Sequence, residues 1–326
     1  MKNFVFFSLL IIYSTVGYSQ IIRGTVLDEK TKKPIGFASV YFNGTSDGTV
    51  CDENGHFEFN RFKHWYMPLT ISAIGYYSFL LTDFSSTEPI DIYLKTKEYV
   101  LKETVIKSKS LKSSRKKFMK LFKDVFLGQS ENSRKCKIVN EEDITFNYFK
   151  DKDTLKAFTS MPLLIENKSL GYKVSYYLNK FEYYRKNETF YFTGNIAFTA
   201  NDSSFENRKQ YIKRRKDTYI GSPMHFFRSL SLNDSIVAGF KISNSAFEEL
   251  KLRDIVVQDS INNRYLCYPK KIRIKSSKGI SYLYSLKKYI YFDKSGYFDG
   301  SAVNWTGDMC NQRIADLLPY EYTLEK

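Results

Sequence analysis

Between Ile21 and Ile106 turn-forming residues interrupt the chain so regularly that only short strands fit between the breaks. Ile21 to Leu27 is β-branched and ends at the polar stretch Asp28 to Lys33. Phe37 to Phe42 follows, then a loop from Gly44 to Gly48 and a tight turn at Asp52-Glu53-Asn54-Gly55. Phe57-Glu58-Phe59, Leu69 to Ile74, Tyr76 to Leu81, Ile90 to Leu94 and Thr104 to Ile106 complete the set. Turn signals about every 8–12 residues predict a β-sandwich of about seven strands.

The full chain has 326 residues, against a usual domain of about 100–200, so a second domain is expected. Aromatic residues make up 17% of it, which favours strands, where flat rings pack across a pleated surface. Lys107 to Lys117 holds six Lys or Arg and four Ser and reads as a basic linker. Phe118, Leu121, Phe122, Val125 and Phe126 then repeat at helical spacing up to Gly128. Tyr172 to Tyr184 and Thr189 to Ala200 read as a long hairpin around Arg185 to Glu188. Further strands are expected at 255–258, 266–275 and 280–292. Helices are expected from Phe205 to Lys216, from Ser222-Pro223 onward and from Gln312 to Leu318. The fold class is mainly β, α+β overall. A seven-stranded sandwich over 20–106 and a linker over 107–117 precede an α+β domain with an antiparallel sheet over 118–326.

The first residues carry the three parts of an export signal: Lys2, an apolar core from Phe4 to Val16, and small residues in Gly17-Tyr18-Ser19. That core falls short of the roughly 20 residues needed to cross a membrane. Residues 1–19 are therefore expected to be a removed signal peptide, and no transmembrane segment is expected in the mature chain. Loss of Lys2 would lower the formal charge from +15 to +14. Export disfavours nucleic acid as the target of so basic a chain. It leaves an envelope protein, or an anionic glycan or lipid surface, in the periplasm or at the outer membrane. Cys51, Cys136, Cys267 and Cys310 lie far apart in sequence and form no CxxC motif. Disulfides and free thiols both remain open.

The run Ile22-x-Gly24-x-Val26-x-Asp28, then Pro34-Ile35-x-x-Ala38-x-Val40, Gly48-Thr49 and Asp52-x-x-Gly55-x-Phe57, resembles the carboxypeptidase-regulatory-like domain. Ile74-Gly75-Tyr76 and Leu101-x-Glu103-x-Val105-Ile106 fit the same pattern. That resemblance implies a prealbumin-like sandwich of exported Bacteroidota proteins, with no catalysis of its own. Pro162-Leu163-x-Ile165-Glu166-Asn167, Tyr219-x-Gly221-Ser222-x-x-His225-Phe226-x-Arg228 and Arg313-Ile314-Ala315-Asp316-Leu317-Leu318-Pro319 are similar to the C-terminal part of Bacteroidota proteins with the same front domain. That likeness implies an envelope address but no reaction.

Chemical motifs are sparse. His56, His64 and His225 are the only histidines, and none starts a zinc-binding HxxE or HExxH pattern, so metallopeptidase chemistry is not expected. Gly44-Thr45-Ser46-Asp47-Gly48 has the letters of a nucleophile elbow but sits between two strands, where no helix start can assist an oxyanion. Asp52 to Gly55 is too short for a calcium loop. Neither a cofactor nor a catalytic or metal-binding residue is predicted. The densest candidate is an anion-binding cluster of Arg208, Lys209, Lys213, Arg214, Arg215, Lys216, His225 and Arg228. The expected function is non-catalytic binding or assembly in the cell envelope. The alternative is an enzyme of unrecognised class with its site near Tyr219, His225 and Arg228.

Overall fold

The computed structural model describes residues 21–60, 67–82, 88–97, 108–200, 208–232, 239–260 and 262–324. The expected signal peptide, His64 and the expected strand at Thr104 to Ile106 lie outside them.

The front of the chain is a two-sheet sandwich. Its strands are β1 (Ile21–Asp28), β2 (Ser39–Phe42), β3 (Gly48–Val50), β4 (His56–Asn60), β5 (Leu69–Ser72), β6 (Phe79–Leu81) and β7 (Ile90–Leu94). One sheet has the order β4-β1-β7 and the other β3-β2-β5-β6. Most pairs are antiparallel, whereas β7 joins β1 in parallel, with Val26 opposite Ile92. In β1 every second residue is buried, placing Val26 in a core with Val40, Phe42, Leu69, Ile71 and Leu94. The turn before β4 forms as expected: Asp52 accepts the backbone N–H groups of Asn54 and His56, and Gly55 takes a positive φ. The third strand begins at Gly48, the last residue of the expected loop, and takes in Thr49 and Val50, which pair back on β2.

Helix α1 (Ser108–Phe126) opens the rest of the chain. It starts inside the segment expected to be a linker. Residues 108–126 contain no Gly or Pro, and their Lys, Arg and Leu are good helix formers, so the turns need not wait for the apolar repeat. Met119, Phe122 and Phe126 are buried against a six-stranded antiparallel sheet. That sheet contains β8 (Cys136–Ile138), β9 (Thr145–Phe149), β10 (Thr154–Phe158), β11 (Leu163–Asn167), β12 (Tyr172–Tyr184) and β13 (Thr189–Ala200). The expected hairpin is its longest pair.

Helices α2 (Arg208–Tyr219) and α3 (Pro223–Ser231) lead to a further core. It lies between α3 and two small antiparallel sheets. One is ordered β14 (Lys241–Ser243), β17 (Ile272–Ser276), β18 (Gly279–Ser285), β20 (Val303–Gly307). The other is ordered β15 (Val256–Gln258), β16 (Arg264–Leu266), β19 (Ile290–Phe292), and the short helix α4 (Leu252–Ile255) leads into it. Buried residues from Met119 onward thus gather around two cores.

The sandwich is fastened to this body. The loop after β2 docks along β13: Gly44 donates to Ile196 O at 2.8 Å, and Phe198 donates to Thr45 O at 2.9 Å. Asn43 Oδ1 accepts from Ile196 N, and Tyr41 stacks on Tyr177 at 5.6 Å between centroids. Gly44 to Gly48 is therefore a bracket between two sheets, with no helix at its end. From the far end of the chain Tyr320 donates to Gly44 O, and Glu321 Oε1 accepts from the backbone N and Oγ of Ser46.

Candidate functional site

The eight residues of the predicted basic cluster are divided by the fold. The expected start of α2 at Phe205 lies outside the described residues, and its end runs three residues beyond Lys216, where Thr218 and Tyr219 are buried. On it Arg208, Lys209, Lys213 and Lys216 are exposed, whereas Arg214 and Arg215 are half-buried. Arg215 donates from Nε to Leu170 O at 2.7 Å and lies over the Tyr172 ring, 4.1 Å from its centroid. Arg214 reaches Gln210 Oε1 at 3.2 Å. Arg215, with a longer contact from Arg214 to Ser169 O at 3.5 Å, fixes the helix to the loop before β12, and the lysines are exposed.

His225 and Arg228 stand apart from that exposed row. Ser222 caps α3 by accepting from His225 N, with Pro223 at the first helical position as expected. His225 Nδ1 accepts the backbone N–H of Gly221 at 3.2 Å, and its ring rests against Tyr219 and Phe240. Burial, with the charges of Arg228 and Lys278, pushes its pKa down to about 4, so the ring is neutral at pH 7. Arg228 spends its guanidinium on three carbonyls: Ser295 O at 2.7 Å, Tyr322 O at 2.6 Å and Tyr320 O at 3.0 Å. It also lies 5.2 Å from the Tyr219 ring centroid. Arg228 is thus engaged in holding residues 320–322 to α3, and His225 in packing at the start of that helix.

The structure adds groups that sequence reading missed. Asp316 is 7% exposed, and its Oδ1 accepts from Ser130 Oγ and Asn132 Nδ2, each at 2.8 Å. Burial raises its pKa against those hydrogen bonds and the charge of Lys278. Asn132 also donates to Thr218 Oγ1 and accepts from Ser169 Oγ, so the network joins the start of the body to α2 and the tail. No local spacing signals it, since its members lie up to 186 residues apart. Among the described residues no group of three or more His, Cys, Asp or Glu could hold a metal, and no helix is long and apolar enough to cross a membrane. All four cysteines are free, with burial pushing Cys136 up to about 12.

Comparison with known proteins bears on the front of the chain. Residues 22–106 match the CarboxypepD_reg-like domain, so the sandwich is a regulatory-type domain of that family. Comparison with curated proteins finds no match. One solved structure similar to this chain is a Bacteroides fragilis NCTC 9343 protein of unknown function, described provisionally as membrane-associated. It is 10% identical, and the match covers 87% of this chain and 93% of that one at a TM-score of 0.19.

Proposed function

We propose that this chain is a non-catalytic binding protein of the bacterial cell envelope, periplasmic or associated with the outer membrane. In this reading the sandwich and the body form one platform that presents α2 to an anionic lipid surface. The observation that carries the reading is the partition of α2. Arg214 and Arg215 reach main-chain carbonyls, while Arg208, Lys209, Lys213 and Lys216 are exposed. Four cations along one helix, with no large apolar side chain exposed among them, suit a charged plane better than a pocket. The regulatory-type front domain supports a role in binding or assembly. The domain limits at 20–106 and 118–326 belong to the same proposal, with α1 as the joint.

An enzymatic site at Tyr219, His225 and Arg228 is less well supported. The histidine accepts a backbone N–H, and the arginine is surrounded by carbonyls. Co-sedimentation with phosphatidylglycerol-containing vesicles at low and high salt tests the binding reading. The variant K209Q/K213Q/K216Q is expected to weaken association roughly 100-fold at low salt, at about 1 kcal/mol per lysine. Binding that ignores both salt and these substitutions overturns the proposal.

A further inference from the structure

A second cationic surface lies on the outer face of the sheet β14-β17-β18-β20, whose β17–β18 turn meets the end of α2 through Lys278 and Asp217 O. Along β17 Ile272 and Ile274 are buried, whereas Arg273 is half-buried and Lys275 exposed, with Lys271 in the same alternation just before the strand. Along β18 Ser281 and Leu283 are buried, and Ile280, Tyr282 and Tyr284 face outward. Register sets Lys275 opposite Ile280 and Arg273 opposite Tyr282. Two adjacent strands therefore carry a row of cations beside a row of mostly aromatic side chains, each row spaced about 7 Å per step. The rows interact: Lys271 Nζ lies 4.5 Å from the Tyr282 centroid and 5.9 Å from that of Tyr284. The next strand contributes the uncharged Asn304 and Thr306 opposite these tyrosines, and the edge strand adds exposed Lys241 opposite Lys275. At the sheet edge Glu248 accepts from Asn244 Nδ2, and Glu249 pairs with Ser243, which stands opposite Arg273, so these acids border the cationic row without interrupting it.

The geometry points to this face as a binding surface for an acidic polysaccharide, a uronate-type polymer laid along β17 and β18. Charge complementarity selects an anion, because the face carries Lys271, Arg273 and Lys275 and no carboxylate between them. The tyrosines select a ligand with ring faces. An exposed aromatic offers a flat apolar surface on which a pyranose can lie, while carboxylates at intervals meet the cations alongside. A phospholipid headgroup uses only the charge, which is what distinguishes this face from α2. Phe247, 72% exposed at a positive φ, extends the aromatic edge beneath Arg273, 5.2 Å from its ring.

Fluorescence anisotropy with labelled polygalacturonate and the full chain tests the inference. Polygalacturonate is expected to bind in low salt and weaken as salt rises, with neutral dextran failing to compete. R273Q/K275Q is expected to lower the affinity about tenfold, and Y284S to lower it severalfold with the salt dependence retained. K209Q/K213Q/K216Q is expected to change it less than about twofold, so failure here and failure of the vesicle experiment are separable. Bound polygalacturonate is also expected to shield Lys275, but not Lys209, from acetylation in the unaltered protein, a readout that needs no variant. Equal binding by R273Q/K275Q overturns the inference. So does tighter binding of a single-stranded oligothymidylate, which would assign the face to nucleic acid.

Discussion

The ring of Tyr320 covers Gly44 so closely that a β-carbon there would fall 2.5 Å from Tyr320 Cε2. Gly44 also has a φ of +80°, which side-chain-bearing residues rarely adopt. The seam between sandwich and tail thus depends on a missing side chain. Gly44→Ala is expected to destabilise the protein by about 2 kcal/mol, combining backbone strain with displacement of the ring. Chemical denaturation measures it. A double-mutant cycle with Tyr320→Ala should show the pair to be less than additive, because removing the ring relieves the clash. Strict additivity would mean that the two do not meet.

Arg228 makes the same seam directional. Its planar fork reaches Ser295 O, Tyr320 O and Tyr322 O together, and no lysine can match three such directions. Arg228→Lys is expected to cost roughly 2–3 kcal/mol and to expose the tail from Tyr320 onward to proteolysis. Hydrogen exchange at the Tyr320 amide, which donates to Gly44 O, should speed up in the variant. An unchanged exchange rate would show that the tail is held by other means.

What the sequence made legible follows from how local each signal is. Strands β12 and β13 could be read because 13 and 12 residues of alternating pattern flank one polar turn. The start of α3 was legible from Ser222-Pro223, whose capping acts within one turn. The expected helix from Gln312 to Leu318 shrinks to a 3-10 turn over Ile314–Asp316. There Ala315 N donates to Leu127 O, and Ala315 O accepts from Asn167 Nδ2. Partners more than a hundred residues away take the groups a helix would have paired. The same kind of contact divides the basic cluster. In sequence Lys213 and Arg215 look alike, and only the carbonyls of 170 and 171 draw the arginine inward.

His225 gives stability a definite pH slope. Its native pKa of about 4 lies below the ordinary 6.5, so over that interval the unfolded chain binds the proton more readily. Its contribution therefore falls as pH drops from 6.5 toward 4. Asp293 and Asp316 act oppositely, since burial raises both above 3.8 and the native state takes up their protons first. Comparing unfolding free energies of the wild type with His225→Gln isolates the histidine. The difference should tilt by up to about 1.4 kcal/mol per pH unit between pH 4 and 6.5, and flatten above. A flat difference throughout would mean that the ring is protonated without cost.

Glu182 offers the complementary case on the acid side. Its carboxylate, buried on β12, accepts from Lys156 Nζ at 2.7 Å, Lys180 Nζ at 3.1 Å and Tyr184 Oη at 2.5 Å. Burial works to raise its pKa, but these three hydrogen bonds prevail and pull it down to about 2 from the ordinary 4.5. A depressed native pKa stabilises the fold above about 4.5, and that stabilisation is lost as pH falls through about 2. Glu182→Gln keeps the shape but removes the charge. It is expected to cost about 2 kcal/mol at neutral pH, a modest figure because both lysine heads remain partly in water. The cost should shrink steadily below pH 4.5, as the wild-type carboxylate becomes protonated and its advantage over the amide disappears. Acid unfolding of the two proteins followed by tyrosine fluorescence measures this. A gap that stays constant down to pH 2 would place the stabilisation in packing on β12 and not in the charge.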